Sequence, residues 1–194
     1  MTKLRLLFAC AAALVVAMAA ASSASAATIT VPGGAITATS SGTVSLVKGA
    51  TAIQSNVTLT GSITSSTYTN VTLGVTVILP IGAISGGTCT SVTAGFITRC
   101  GLYNWPIAAR ITGTNTAELR ILNVGFLINN TDNSVQCLVN ATVTGTYDRT
   151  TGIFTITGTA TNSETALSPG ICPPGSSALR ATFRISPIVT WTLS

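Results

Sequence analysis

Val139-Asn140-Ala141-Thr142-Val143-Thr144-Gly145-Thr146-Tyr147 runs into Asp148-Arg149-Thr150-Thr151-Gly152 and out through Ile153-Phe154-Thr155-Ile156-Thr157-Gly158-Thr159. The first flank alternates with a period of two. Val139, Ala141, Val143 and Gly145 share one face, and Asn140, Thr142, Thr144 and Thr146 the other, which is the signature of a half-buried strand. Asp148 opening and Gly152 closing the connection suit a type I turn that ends on a left-handed residue. Ile153 and Phe154 fall on opposite faces, so the returning flank alternates less clearly. Two antiparallel strands and a tight turn are therefore the local unit.

The rest of the chain repeats this chemistry. Thr makes up about a fifth of residues 27–194, and the helix formers Glu, Lys and Gln are nearly absent. Short alternating runs between Gly, Asn, Ser and Pro breaks predict strands at Thr28–Val31, Ala35–Thr39, Thr43–Val47, Val57–Thr64 and Val71–Leu79. More follow at Ile107–Thr112, Ala117–Ile128, Val135–Tyr147, Gly152–Thr161, Leu179–Ile185 and Ile188–Leu193. Ser163–Ser177, with Pro169, Gly170, Pro173, Pro174 and Gly175, reads as one long loop pinned by Cys172. The expected fold is all-β, a single antiparallel β-sandwich or flattened barrel. Thr-x-Thr recurs, as at Thr58-Leu59-Thr60 and Thr155-Ile156-Thr157. The copies lack the fixed period of an ice-binding solenoid, and a strand with Thr on its wet face produces the motif unaided.

Residues 1–26 read as a secretory signal peptide, and residues 27–194 as the β-sandwich domain. Lys3 and Arg5 supply the basic start, Leu6 to Ala21 the apolar segment, and Ala24-Ser25-Ala26 the cleavage site, which makes Ala27 the mature first residue. No later stretch is long and apolar enough for a transmembrane anchor. The expected location is secreted, extracellular or at the cell surface.

Only 7% of residues are charged, against 46% hydrophobic. The formal charge is +5, and +3 once Lys3 and Arg5 leave with the signal. The seven remaining basic residues are scattered, so there is no clustered footprint for nucleic acid. Cys10 also leaves with the signal, and four cysteines remain: Cys89, Cys100, Cys137 and Cys172. An even count in a secreted chain reads as disulfides. Nearest-neighbour closure, costing the least chain entropy, favours Cys89–Cys100 and Cys137–Cys172. A zinc site would need two cysteines separated by two to four residues, and no such pair exists.

The chain contains no histidine. Histidine-based triads and dyads are therefore excluded, and with them the commonest metal ligand; no cofactor is expected. Four carboxylates remain for two-acid hydrolysis: Glu118, Asp132, Asp148 and Glu164. Asp132, Asp148 and Glu164 read as turn or loop residues. Glu118 shares a strand face with Arg120 and can pair with it. Ser45-Leu46-Val47-Lys48 has the letters of a Ser–Lys dyad, but on a strand the two side chains point to opposite faces. Lys48 could alternatively join an Asn in an isopeptide bond with Glu118 as catalyst. The protein is expected not to be an enzyme. Tyr103-Asn104-Trp105-Pro106 is the densest aromatic cluster. Tyr103 and Trp105 are candidate ligand contacts by stacking, while a Trp at the mouth of an apolar strand is also a natural core plug.

The second half contains Asn104-Trp105-Pro106, Glu118-Leu119-Arg120, the Cys137–Tyr147 strand, Ile153–Thr159, Cys172-Pro173 and a closing strand. With these features, residues 85–194 resemble uncharacterised secreted β-sandwich proteins of high-GC actinobacteria. The chain is also similar to the secreted family of alkane-oxidation activators, which is associated with cell-surface hydrophobicity and biofilm. Neither resemblance implies a catalytic residue. The expected function is that of a non-catalytic structural, adhesive or matrix protein of the cell surface, with cell-envelope or matrix components as partners. The alternative is a binding module for glycan or an apolar ligand.

Overall fold

A computed structural model describes residues 27–48, 51–75, 79–100, 104–132, 136–156, 159–160, 163–166 and 177–194. The strands are β1 (Ala27–Val31), β2 (Gly34–Ser40), β3 (Val44–Lys48), β4 (Thr51–Ile63), β5 (Ser66–Val71), β6 (Leu79–Ser91), β7 (Phe96–Cys100) and β8 (Trp105–Ile111). They continue with β9 (Thr116–Asn130), β10 (Gln136–Asp148), β11 (Ile153–Ile156), β12 (Thr159–Ala160), β13 (Ser163–Ala166), β14 (Ser177–Ser186) and β15 (Thr192–Leu193). Every pairing is antiparallel, as expected of an all-β antiparallel fold.

The main sheet closes on itself. Its hydrogen-bonded order runs β10–β11–β14–β2–β4–β6–β8–β9, and β9 pairs back onto β10. Of the two architectures expected, this is the barrel. Several staves are broken in two: β2 and β3 share the slot between β14 and β4. Likewise β8 and β7 take successive halves of one edge of β9. A separate sheet, β15–β1–β5, carries Ile29 and Val31, which are 0% and 2% exposed.

The decisive hairpin forms as the sequence predicts. Gly152 is left-handed at φ 69°, and its N–H donates to the Asp148 carbonyl at 2.9 Å. The Asp148 carboxylate accepts from the Thr150 N–H at 2.8 Å and from its hydroxyl at 2.6 Å. Ala141, Val143, Gly145 and Tyr147 face the core. Gly145 lies opposite Leu119 and Ile156. A Cβ there would come within 2.3 Å of the Thr155 carbonyl oxygen and 2.7 Å of the Phe154 ring, so a missing side chain makes room for an aromatic one. On β9 the inward run is Ala117, Leu119, Ile121, then Val124, Phe126 and Ile128. The phase change is a bulge. Leu122 and Asn123 together oppose Thr142, and Asn123 takes φ 57°.

Three expectations need correction. Val71–Leu79 is not one continuous strand: Val71 ends β5, Leu79 begins β6, and Leu73 and Gly74 form a turn, with Gly74 left-handed at φ 76°. Ser163–Ala166, read as loop, adds a strand to β10. Of Ile188–Leu193, only Thr192 and Leu193 are strand.

Candidate functional site

Among the described residues, the side chains with candidate chemistry do not converge. Glu118 stands on the outer face of the barrel and receives a guanidinium hydrogen bond from Arg110 on β8, with Arg120 at 3.9 Å. The pairing with Arg120 expected from the strand is there, and Arg110 opposite on β8 is the closer partner. Asp132 lies in an exposed turn after β9. Asp148 serves the hairpin turn. The Thr150 hydroxyl and N–H hold its carboxyl below the ordinary value of 3.8, so this stabilisation is present above that pH and lost as pH falls through the folded pKa. Glu164 pairs by its backbone with Val139 at the β10–β13 edge. Lys48 is the last residue of β3, opposite Thr51 of β4, while Glu118 sits on β9. Among the described residues no three His, Cys, Asp or Glu side chains form a metal-binding group, and no helix is long and apolar enough to cross a membrane.

Trp105, at the start of β8, is 1% exposed and meets Phe126 edge-on at 5.9 Å between ring centres. In that position its ring is not presented to a ligand in solvent. Tyr103, Cys172 and residues 1–26, where a signal peptide is expected, lie outside the described residues, as does the Cys137 side chain. Cys89 and Cys100 form the disulfide expected of nearest neighbours.

Two regions stand out. The first is the end of the barrel beneath β1. After β14 the chain crosses this end as a strap, residues 187–194. Val189 and Trp191 of the strap, Val31 of β1 and barrel residues including Ile36, Ile107 and Leu119 line a small apolar cavity of about 30 Å³. That is room for a water-sized molecule, not for a sugar or a long alkyl chain. The Tyr147 hydroxyl donates to the Val189 carbonyl at 3.1 Å and accepts from its N–H at 2.9 Å. The Arg149 guanidinium bonds the Trp191 carbonyl oxygen and the Asn115 side chain, and lies 5.0 Å from the Trp191 ring centre, a cation–π distance. Burial, above all, pushes the Tyr147 phenol above its ordinary 10.0; the Val189 bond pulls it down and the Asp148 charge adds to the rise. A raised folded pKa gives stability that is present below pH 10.0 and lost as pH climbs through the folded value. Alkaline titration should therefore loosen the strap, seen as phenolate absorbance rising together with Trp fluorescence change. Tyr147→Phe should abolish that coupled step. A coupled step of unchanged size in the variant would assign it to another group.

The second region is the outer wall of β2, β4 and β6. None of its residues is charged. Register aligns threonines from distant parts of the chain: Thr37 opposite Thr60, Thr39 opposite Thr58, and Thr58 opposite Thr88. Thr37, Thr39, Thr60, Thr88 and Thr90 are exposed, and Thr58 in the middle is half-buried. Sequence reading found Thr58-Leu59-Thr60 but not its alignment with Thr37-Ala38-Thr39 and Thr88-Cys89-Thr90. The shared Thr-x-Thr spacing was the available signal. Pairing order, which joins β2 to β4 to β6, is what brings the copies together.

A family model described as alkane oxidation protein activator PraA/PraB-like matches residues 1–191. No curated protein and no solved structure matches the chain.

Proposed function

The chain belongs to the PraA/PraB-like family of alkane oxidation protein activators, and we propose that it acts as a secreted, non-catalytic component of the cell surface or its matrix. The observation that carries this reading is the charge-free threonine wall of β2, β4 and β6. Charged side chains are costly to dehydrate, and uncharged hydroxyl and methyl groups much less so. A wall without charges suits broad contact with neutral envelope or matrix material. Activation then means supporting alkane oxidation from outside rather than performing a step of it. The likeness to secreted actinobacterial proteins belongs to the same proposal.

The wall is testable at its exposed positions. Thr37→Lys with Thr60→Lys places two like charges on paired, exposed positions. The expected result is a folded protein with at most about 1 kcal/mol of lost stability, since the positions are solvent-facing. It should move from the cell-associated fraction into the medium. Unchanged cell association of the folded variant would count against the wall as the working surface.

A second reading, an apolar-ligand module, is favoured by one observation. The cavity under the strap is lined by apolar side chains, and the buried Trp191 indole Nε1 has no hydrogen-bond partner. Saturable Trp fluorescence changes with methane, an apolar probe small enough for that cavity, would promote it over the surface role.

A further inference from the structure

We infer that the strap holds the place of a ligand, a single-chain alkanoate whose alkyl tail enters the barrel end and whose carboxylate takes the bonds that Tyr147 and Arg149 give the strap. The inference deepens the apolar-ligand reading and rests on it.

The strap plugs the barrel end with two side chains, Val189 and Trp191. Apart from these and the Tyr147 ring, the cavity is lined by aliphatic residues alone, among them Val31, Ile36 and Ile107. The 30 Å³ left open is what the plug does not fill. Withdrawing an indole and an isopropyl group extends it into an apolar chamber at the mouth of a barrel, with a few polar groups at its rim, which is a common form of ligand site. Little has to move. β15 can keep its pairs to β1, Thr192 with Thr30 and Leu193 with Ile29, while residues 187–191 lift. The plug also carries a cost. The Trp191 Nε1–H is buried with no hydrogen-bond partner among the described residues, and lifting the strap returns that donor to water.

The anchors specify the head of the ligand. The Tyr147 hydroxyl donates to the Val189 carbonyl oxygen and the Arg149 guanidinium to the Trp191 carbonyl oxygen. Both acceptors belong to the strap, so lifting it leaves a phenol and a guanidinium at the rim as donors. Arg149 keeps only its bond to the Asn115 side chain. Among the described residues no carboxylate lies within ion-pair distance of it. Glu118 pairs with Arg110 and Arg120, and the Asp148 carboxylate is taken by Thr150. A carboxylate fits this rim: it supplies acceptor oxygens to both donors and a charge to the guanidinium. Charge-assisted bonds of that kind are stronger than the bonds to peptide carbonyls that they replace. The strap thus imitates the ligand, with carbonyl oxygens for the head and the side chains of Val189 and Trp191 for the tail.

The test is titration calorimetry of the full chain with decanoate, decanol and decyltrimethylammonium, each kept below the concentration at which it aggregates. Decanoate should bind saturably, decanol ~10-fold more weakly for want of a charge-assisted bond, and the cation not at all. Hydrogen exchange should show the Val189 amide, which donates to Tyr147 in the closed strap, losing protection as decanoate binds. Trp191→Ala removes the plug, so it should bind decanoate and decanol ~10-fold more tightly and keep the preference between them. Arg149→Gln should bring decanoate down to the level of decanol. Decanol bound as tightly as decanoate by the wild type would overturn the inference and leave the apolar-ligand reading standing, and so would decanoate binding with Val189 protection intact. Neither chain bound, by wild type or by Trp191→Ala, would overturn it as well; methane failing to bind in the closed cavity would take the apolar-ligand reading with it.

Discussion

Trp105→Ala is expected to cost about 3–5 kcal/mol, the range for emptying a buried aromatic site. Trp105 is 1% exposed, faces Ile84 across the β6–β8 ladder and packs edge-on against Phe126 of β9. Three staves of the barrel thus meet at this indole. Their backbones are held by ladders on both sides, so they cannot collapse into the space it leaves. The indole Nε1 has no hydrogen-bond partner, so Trp105→Phe gives up packing but no polar contact, and should lose clearly less than the Ala variant. Urea unfolding of the three proteins gives the comparison, with an unchanged m-value as the check that the denatured state is the same. A near-neutral Trp105→Ala that loses adsorption to glycan or apolar surfaces would instead make Trp105 a ligand contact.

Particular residues show how much of this architecture was legible beforehand. The Asp148–Gly152 turn was readable to its hydrogen bonds, because a carboxylate at one end and a glycine at the other leave the backbone few alternatives. The disulfide between Cys89 and Cys100 was readable from loop entropy. Other features depend on partners distant in sequence. Ser163–Ala166 is followed by a Pro- and Gly-rich segment and has no strand pattern of its own; the free edge of β10 recruits it. The run Val71–Leu79 is rich in β-branched residues, yet β5 stops at Val71 and the chain turns at Leu73 and the left-handed Gly74. The β9 bulge was hidden because Leu122 and Asn123 read as one step too many in an otherwise regular alternation. The wall of aligned threonines belongs to the same class: each Thr-x-Thr is local, and their alignment is a property of pairing order. Closure into a barrel follows from β9 pairing with β10 over nearly its whole length, which no single strand announces.

Replacing both Cys89 and Cys100 with Ala is expected to lower stability by about 3 kcal/mol, the loop-entropy value for a short ring. The residues are 11 apart in sequence, with Cα atoms 5.3 Å apart. Their position makes the effect local as well as global. β6 is laddered to β4 on one side, and β7 to β9, but among the described residues no ladder joins β6 to β7. At this end of the barrel the disulfide takes the place of a row of hydrogen bonds. The nearest support is the buried Ser55 hydroxyl, which donates to Thr98 of β7 at 2.9 Å and so ties β7 to β4 from inside. Ser55→Ala in the intact disulfide background should cost only about 1–2 kcal/mol, the penalty for leaving one buried hydroxyl without its partner. In the cysteine-free background the same change should cost more, since the two ties hold one strand and their effects need not add. Hydrogen exchange should show where the seam yields. Amides of Phe96–Cys100 should lose protection first, while those of Ala141–Tyr147 keep theirs. A uniform loss of protection across the barrel, or a stability change below about 1 kcal/mol, would mean that β7 is held by its β9 ladder alone and the disulfide is not what closes the seam.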